Sequence, residues 1–328
     1  MKFVRFDGGR TGLVIEHDGL QVIDVAANLN ALRARDAAGA DAIAAVLLAD
    51  PQQSWVPMIG RWDELRDAFS ALVALAPAQL TLRAFDDVAL EPPLAAPNVH
   101  IFAMGSNTTD HIVRAFKVMQ DLDLTHEQAR KAKDDGLPPF GFMLWPATVA
   151  APNATVAPPK GTLKFDYEAE CAVYVKRGGR DLKTVELWGY TAFNDLGVRD
   201  PFLKLAKEAH WGPFSLNLPK NFDTSNACGP WVVVDEGQDI LSLNCRLTVN
   251  GEPRQDWNLR DMIYGFDETL SYISTSLTLR PGDMLCSGTG AGVALESGID
   301  SDAWLKPGDV IELTLDGVAP LRNTVGAW

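Results

Sequence analysis

Cysteine is sparse in this 328-residue chain, and the four that occur, Cys171, Cys228, Cys245 and Cys286, are scattered. None stands at a spacing that suits a metal site. Reduced, buried thiols in a cytoplasmic protein are the simplest expectation. Long apolar runs are missing too, so no segment reads as a membrane span. The opening "MKFVRFDGGR" lacks the apolar core of a signal peptide, and none is expected. Basic residues are in deficit, 29 against 43 acidic, a net charge of −14 with no acidic tail. That sign argues against nucleic acid and anionic membranes as partners. It leaves a cation or a small metabolite. Repeats and low-complexity tracts are absent as well. The remainder, 47% hydrophobic and 22% charged, is the make-up of an ordinary soluble protein.

The first stretch, "MKFVRFDGGRTGLVIEHDGLQVIDV", alternates strand-like runs with Gly-Gly and Asp-Gly turns and predicts a small β-meander. Helices are expected over Asp41–Leu48 and Arg61–Ala76, the second carrying Leu65, Phe69, Leu72 and Leu75 at helical spacing. "LEPPLAAPNVH" then packs three prolines together and reads as a linker. It divides a small α/β N-terminal domain, residues 1–96, from a larger domain, residues 97–328. In the larger domain a strand "VHIFAMGSN" leads into a helix around His111–Gln120. Thr125 and Gln128 form a capping box for another helix, which Gly136 and Pro138 stop. Beyond it, short strands dominate, interrupted by an amphipathic helix at roughly Asp261–Leu277. The fold class is α+β and strand-dominated, a sandwich or rolled barrel.

One strand poses a problem. In "KFDYEAECAVYV" the side chains of Tyr167, Ala169, Cys171, Val173 and Val175 share an apolar face. Glu168, Glu170, Ala172 and Tyr174 share the other. Two carboxylates about 7 Å apart repel, and burying them unpaired is costly. Either water reaches them or a cation sits between them. Asp195, in "GYTAFNDLGVRD", is a third acid 25 positions after Glu170. A solvated surface face accounts for such acids. So does a hard, oxygen-seeking ion such as Mg²⁺, Mn²⁺ or Ca²⁺.

The ordered motifs "DYEAECAVYV", "GYTAFNDLGVRD", "KNFDTSNACGPWVVV", "LTVNGEPRQ", "LRPGDMLCSGTGAGV" and "LKPGDVIEL" resemble the fumarylacetoacetate hydrolase family from about Asn98 to the C-terminus. The resemblance implies a mixed β-roll or sandwich catalytic domain, usually dimeric, preceded in many members by a small N-terminal domain. It implies one divalent cation, Mg²⁺ or Mn²⁺ with Ca²⁺ as a further option, held by Glu168, Glu170 and Asp195. His111, in "GSNTTDHIVRA", falls on the family's general base. Lys220 matches a lysine near the developing oxyanion, and Arg199 an arginine beside the metal. Thr289 matches a threonine at the substrate carboxylate. Gln255 reads as structural.

The chain also departs from the family pattern. Arg114 replaces the glutamate three residues after the histidine, so another acid, Glu296 or Asp110, would have to orient His111. Trp145 replaces a pocket lysine, Phe202 a substrate-binding glutamine, and Gly290 the proline of Gly-Thr-Pro. Two aromatic replacements favour a substrate with a larger apolar portion, with Trp145 and Phe202 lining its pocket. The segment Asp121–Pro139 is long and reads as a lid. The expected function is metal-dependent hydrolysis of the carbon–carbon bond of a 1,3-dicarbonyl compound, an acylpyruvate or fumarylacetoacetate-like substrate, in a cytoplasmic homodimer of aromatic catabolism. The alternatives are decarboxylation, isomerisation or dehydration of a 2-oxo acid on the same fold, or a metal-binding member that has lost catalysis.

Overall fold

A computed structural model describes residues 1–51, 54–94, 98–200, 203, 214, 217–234, 237 and 239–328. The Ala169–Val175 strand, rich in β-branched and aromatic residues, is buried on both faces. It pairs antiparallel with Leu187–Asp195 on one side and Met284–Cys286 on the other. The sheet grows outward from there. Leu187–Asp195 pairs with Asn226–Val234, which in turn pairs with Lys2–Phe6, so the N-terminal meander extends the same sheet. On the far side, Met284–Cys286 lies parallel to Ile101–Met104, whose other neighbour is the edge strand Gly141–Leu144. The described strands of this sheet number 12. A second sheet of five holds Asn244–Val249, Glu252–Asn258, Val310–Leu315, Leu321–Val325 and Thr155–Val156.

The period-two alternation assigns the two faces as the sequence predicts. Tyr167, Ala169, Cys171, Val173 and Val175 pack with Leu247, Leu313 and Leu315 of the second sheet. Ala172 and Tyr174 pack with the N-terminal helices Ala37–Ala49 and Trp62–Val73. The large sheet is thus a middle layer between helices and a smaller sheet. Its ends, Leu82–Ala84 and Gly141–Leu144, do not meet, so the rolled-barrel alternative gives way to stacked layers. Both faces find cover without closure. All four cysteines are buried and free. Among the described residues no helix is long and apolar enough to cross a membrane.

Two helices differ from expectation for local reasons. Ala37–Ala49 starts before Asp41 because Asp36 accepts the Gly39 N–H at 2.8 Å and caps it. Only Phe266–Ser274 of the expected Asp261–Leu277 helix forms. The backbone N–H groups of Ile263 and Tyr264 go instead to Asn107 O and Oδ1, at 2.7 and 2.9 Å. The expected domain boundary falls on residues 95–97, outside the described ones.

Phe3 joins the first strand to the helices and to the middle of the sheet. Its ring lies 5.6 Å from Trp62, 5.1 Å from Phe69 and 5.4 Å from Trp188. Truncating a fully buried Phe costs about 3–5 kcal/mol. Phe3→Ala should lower the urea midpoint accordingly while leaving divalent-cation affinity at the wild-type value, which calorimetry would check.

Candidate metal and acid–base site

Glu168 precedes the central strand and Asp195 ends its neighbour. The Asp195 N–H donates to Glu168 O at 3.0 Å, which sets the two residues side by side, with Glu170 next along the strand. All three are buried, and one carboxylate oxygen from each lies within 4.8 Å of the others. Buried cations do approach them, but unevenly. Lys220 Nζ donates to Glu168 Oε2 at 2.6 Å and to the Asp195 main-chain carbonyl at 2.7 Å. Arg199 donates to Glu168 Oε1 and, through Nε, to Asp166 Oδ2 at 2.9 Å. Gly197 makes room for the lysine, since a Cβ there would sit 3.0 Å from Lys220 Cε.

Glu170 is served less well. Its Oε2 accepts the Gly288 N–H at 3.1 Å, and its Oε1 has no partner. Neither carboxylate oxygen of Asp195 accepts an aligned hydrogen bond, although Lys220 Nζ stands 3.1 Å from Oδ2 as an ion pair. The electrostatics follow. Burial pushes Glu170 well above the usual carboxylate range, and the charges of Asp195 and Glu168 push it further. Burial also raises Asp195, to about 7, against the opposing charge of Lys220. For Glu168 burial acts upward too, but Lys220 and Arg199 outweigh it and hold the carboxyl at about 2. Buried acceptors without donors, all hard oxygens with no sulfur among them, fit a hard divalent cation held by Glu168, Glu170 and Asp195.

His111 lies in the first turn of the helix Thr109–Gln120 and is buried. Its Nδ1 is 2.6 Å from Glu296 Oε1, and Glu296 Oε2 accepts the Gly292 N–H at 2.7 Å. A carboxylate there favours hydrogen on Nδ1 and leaves the lone pair on Nε2. The other acid considered for this place, Asp110, lies 3.3 Å from His126 Nδ1 instead. Arg114 is exposed.

The turn after Cys286 is bolted to the central strand. Thr289 Oγ1 donates to Ala169 O at 3.1 Å and accepts from Gln255 Nε2 at 2.8 Å. Gln255 Oε1 accepts the Ala169 N–H at 2.9 Å. The Thr289 hydroxyl proton is therefore committed within the protein, although the residue lines the cavity. Gly290 has a packing reason: a Cβ there would sit 2.2 Å from Trp257 Cγ, so this chain holds tryptophan against the turn where a proline would collide.

A cavity of about 500 Å³ brings His111, Glu168, Arg199, Lys220 and Thr289 together, with Trp145 at its wall. Phe202 lies outside the described residues. Phe140, Phe142 and Met143 line the same wall and were not singled out from the sequence. Only the alternation of "FGFMLW" could have suggested them. Asn221 staples that wall to the Lys220 turn: it accepts the Trp145 N–H at 2.7 Å and donates to Met143 O at 3.1 Å. The segment read as a lid contains the helix His126–Asp134, with its Thr125–Gln128 capping box in place. Lys133 ties that helix down, to Ile263 O and Glu268 Oε2, each at 2.6 Å.

The profile of the family described as fumarylacetoacetate (FAA) hydrolase C-terminal matches residues 100–326. A Burkholderia cenocepacia protein named "Putative hydrolase" is 30% identical over 268 residues, covering 77% of this chain and 83% of its own length. The chain belongs to the fumarylacetoacetate hydrolase family. Solved structures agree in fold across the whole chain. The maleylpyruvate hydrolase of Sphingobium sp. SYK-6 is 24% identical with a TM-score of 0.68, covering 99% of both chains. The fumarylacetoacetate hydrolase of Exiguobacterium antarcticum is likewise 24% identical at 0.68, covering 100% of both. The Sphingobium enzyme has also been solved in complex with manganese(II) and pyruvate, at 23% identity and a TM-score of 0.69.

The raised carboxyls of this family member predict a pH signature. Glu170 and Asp195 bind protons more tightly in the folded metal-free protein than in the unfolded chain. Their stabilising effect is full below the ordinary carboxylate range and is lost as pH rises through about 7 for Asp195 and through the raised range of Glu170. A divalent cation replaces those protons. The melting temperature of metal-free protein should therefore fall from about pH 5 to about pH 8, and the rise produced by Mn²⁺ should grow over the same interval. Glu170→Gln should flatten the metal-free curve and abolish most of the Mn²⁺ effect. Calorimetric melts with and without chelator measure both.

Proposed function

We propose that the protein hydrolyses the carbon–carbon bond of an acylpyruvate-type 1,3-dicarbonyl compound with an apolar or aromatic acyl group. The observation that carries this reading is the His111–Glu296 pair opening onto the same cavity as Glu168, Arg199 and Lys220. Hydrolysis needs a base to activate water, and a histidine held by a buried carboxylate is such a base. Arg114 in place of the family glutamate would favour a reaction without nucleophilic water if no other acid met His111, and Glu296 is such an acid. Manganese and pyruvate in the Sphingobium structure support the reading, because pyruvate is the product that cleavage of an acylpyruvate leaves.

A divalent cation held by Glu168, Glu170 and Asp195 would supply Lewis acidity to the neighbouring oxygens of the pyruvyl portion. His111 Nε2 takes a proton from water, and the hydroxide adds to the remote acyl carbonyl. Glu296 keeps the Nδ1 proton in place and balances the imidazolium as it forms. Lys220, protonated between Glu168 and Asp195, offsets negative charge built on the substrate. The bond between the acyl carbon and the methylene then breaks. Its electron pair passes to the methylene carbon, which takes a proton and becomes the methyl group of pyruvate. The acyl carbon leaves as a carboxylic acid. Phe140, Phe142, Met143 and Trp145 offer the acyl group an apolar wall.

We place the working protein in the cytoplasm, as a homodimer using Mg²⁺ or Mn²⁺. The all-oxygen ligand set, the buried free thiols and the exposed Phe140, Met143 and Tyr272 support that assignment. A role in the breakdown of aromatic compounds suits the apolar wall.

Wild-type protein loaded with Mn²⁺ should convert an aromatic acylpyruvate to two acids, followed by loss of the enol absorbance and by product masses. His111→Ala should lower the rate about 10²- to 10⁴-fold, as loss of a general base does. Release of CO₂ or water without cleavage would transfer the assignment to the 2-oxo acid lyase alternative.

Phe142→Ala tests the wall separately. It should erode the preference for aromatic over acetyl substrates by about 10-fold in kcat/KM, as one lost apolar contact of 1–3 kcal/mol would. Equal losses on both substrates would assign Phe142 to packing alone.

A further inference from the structure

Asp166 is fully buried two residues before Glu168, and no step above uses it. Its carboxylate meets four N–H donors from three parts of the chain. Oδ1 accepts from the backbone N–H of Tyr167 at 3.0 Å and of Ala294 at 2.7 Å. Oδ2 accepts from Arg199 Nε at 2.9 Å and from the Leu295 N–H at 3.4 Å. Arg199 is the residue that also holds Glu168. Ala294 and Leu295 open the 3₁₀ turn Ala294–Ser297, which carries Glu296 and so the partner of His111. One carboxylate thus touches both the arginine that flanks the cation ligands and the turn that orients the base. The Phe165–Asp166 strand itself is pinned, with Asp166 paired to Gly197 beside Lys220.

We infer that Asp166 is a positioning residue that fixes the Glu296 turn, and through it His111, in one frame with the Arg199–Glu168 side of the carboxylate site. The physical case is that, among the described residues, no other charged group bonds both of the turn's leading N–H groups. Two backbone donors at 2.7 and 3.4 Å set where Glu296 stands relative to the strand that carries Glu168. The same charge shares Arg199 with Glu168. Without it the full guanidinium charge falls on Glu168 and competes with a cation for that carboxylate. The inference rests on reading His111 and Glu296 as the acid–base pair.

The test uses Asp166→Asn and Ala294→Pro in the full-length protein. Asparagine keeps the volume and removes the charge. Proline removes the Ala294 N–H and, with a ring carbon in place of that hydrogen, displaces Asp166 Oδ1 from the turn while keeping the carboxylate charge. The site is the first position of a helical turn, after Val293 at φ −65° and ψ 157°, which suits a residue before proline. Three quantities are read: the far-downfield imidazole N–H proton of His111, assigned by its loss in His111→Ala and Glu296→Gln; Mn²⁺ affinity; and kcat and KM.

Asp166→Asn should shift or erase the N–H signal, weaken Mn²⁺ binding and lower kcat about 10- to 100-fold with little change in KM, the range seen when an outer-shell partner is lost. Ala294→Pro should move the N–H signal and weaken Mn²⁺ binding less than Asp166→Asn does, because the carboxylate charge that shares Arg199 with Glu168 is kept. A wild-type N–H signal in both variants would overturn the inference and leave Asp166 as a stabiliser of the fold. If Asp166→Asn does not fold, Ala294→Pro decides: an unmoved signal sinks the idea. The N–H and Mn²⁺ readings need no substrate, so they remain valid even if the hydrolase assignment fails.

Discussion

Four carboxylates, Asp166, Glu168, Glu170 and Asp195, are buried around the buried Lys220 and the half-buried Arg199. Four minus two leaves two negative charges, the complement of one divalent ion. Removing an unpaired carboxylate from water costs several kcal/mol, so a protein that is only folded would not accumulate them. The distribution is as informative as the sum. Both cations lean on Glu168, while Glu170 Oε1 and the Asp195 carboxylate oxygens accept no hydrogen bond among the described residues. In metal-free protein burial favours the protonated form of both groups, so a cation held here and the pH behaviour of the fold would share one electrostatic origin.

That constraint explains why the site stands where it does. Carboxylates can be held at fixed distances without solvent only on backbone that is itself immobile, and the Ala169–Val175 strand has a sheet neighbour on each side and a packed layer on each face. The surrounding turns give way to it. Gly197 leaves space for the Lys220 side chain, and Gly290 leaves space for Trp257, whose Nε1 donates to Ala169 O at 3.1 Å between the two glutamates. Gln255 and Thr289 complete the bracing of the same residue. The backbone N–H and carbonyl of Ala169 are both bonded, so the strand is braced at the residue between the two glutamates.

Period-two alternation made the strand legible in the sequence. It separated Glu168 and Glu170 from the apolar face of Tyr167, Ala169 and Cys171, and the two cores divide along that line. The capping box at Thr125 and Gln128 was readable because both of its bonds are local. Asp166 was not, since its decisive partners are 128 and 129 residues away along the chain and are backbone groups without a side-chain signature. Phe140 and Phe142 were hidden because an aromatic residue on an edge strand looks the same whether it faces a core or a cavity. The helix expected from Asp261 was shortened by Asn107, more than 150 residues earlier, which claims the N–H groups that would have begun it. The Asp166 and Asn107 cases are long-range backbone contacts overriding a local pattern, whereas the aromatic wall depends on which neighbour a strand face meets.

The replacement of a local acid by a distant one changes what holds the base. A glutamate three residues after a histidine on one helix keeps its place as long as the helix stands. Glu296 instead reaches His111 across 185 residues of chain and is held by a four-residue turn whose first N–H groups bind Asp166. His111 is therefore oriented by the packing of the C-terminal segment against the central strand as well as by the helix that bears it. Arg114 occupies the exposed face of that helix. Disturbing the segment around Gly292–Ser297 would loosen His111 and the Arg199–Glu168 contact together, since Asp166 is common to both. Chemistry and coordination in this chain are thus tied through one buried carboxylate.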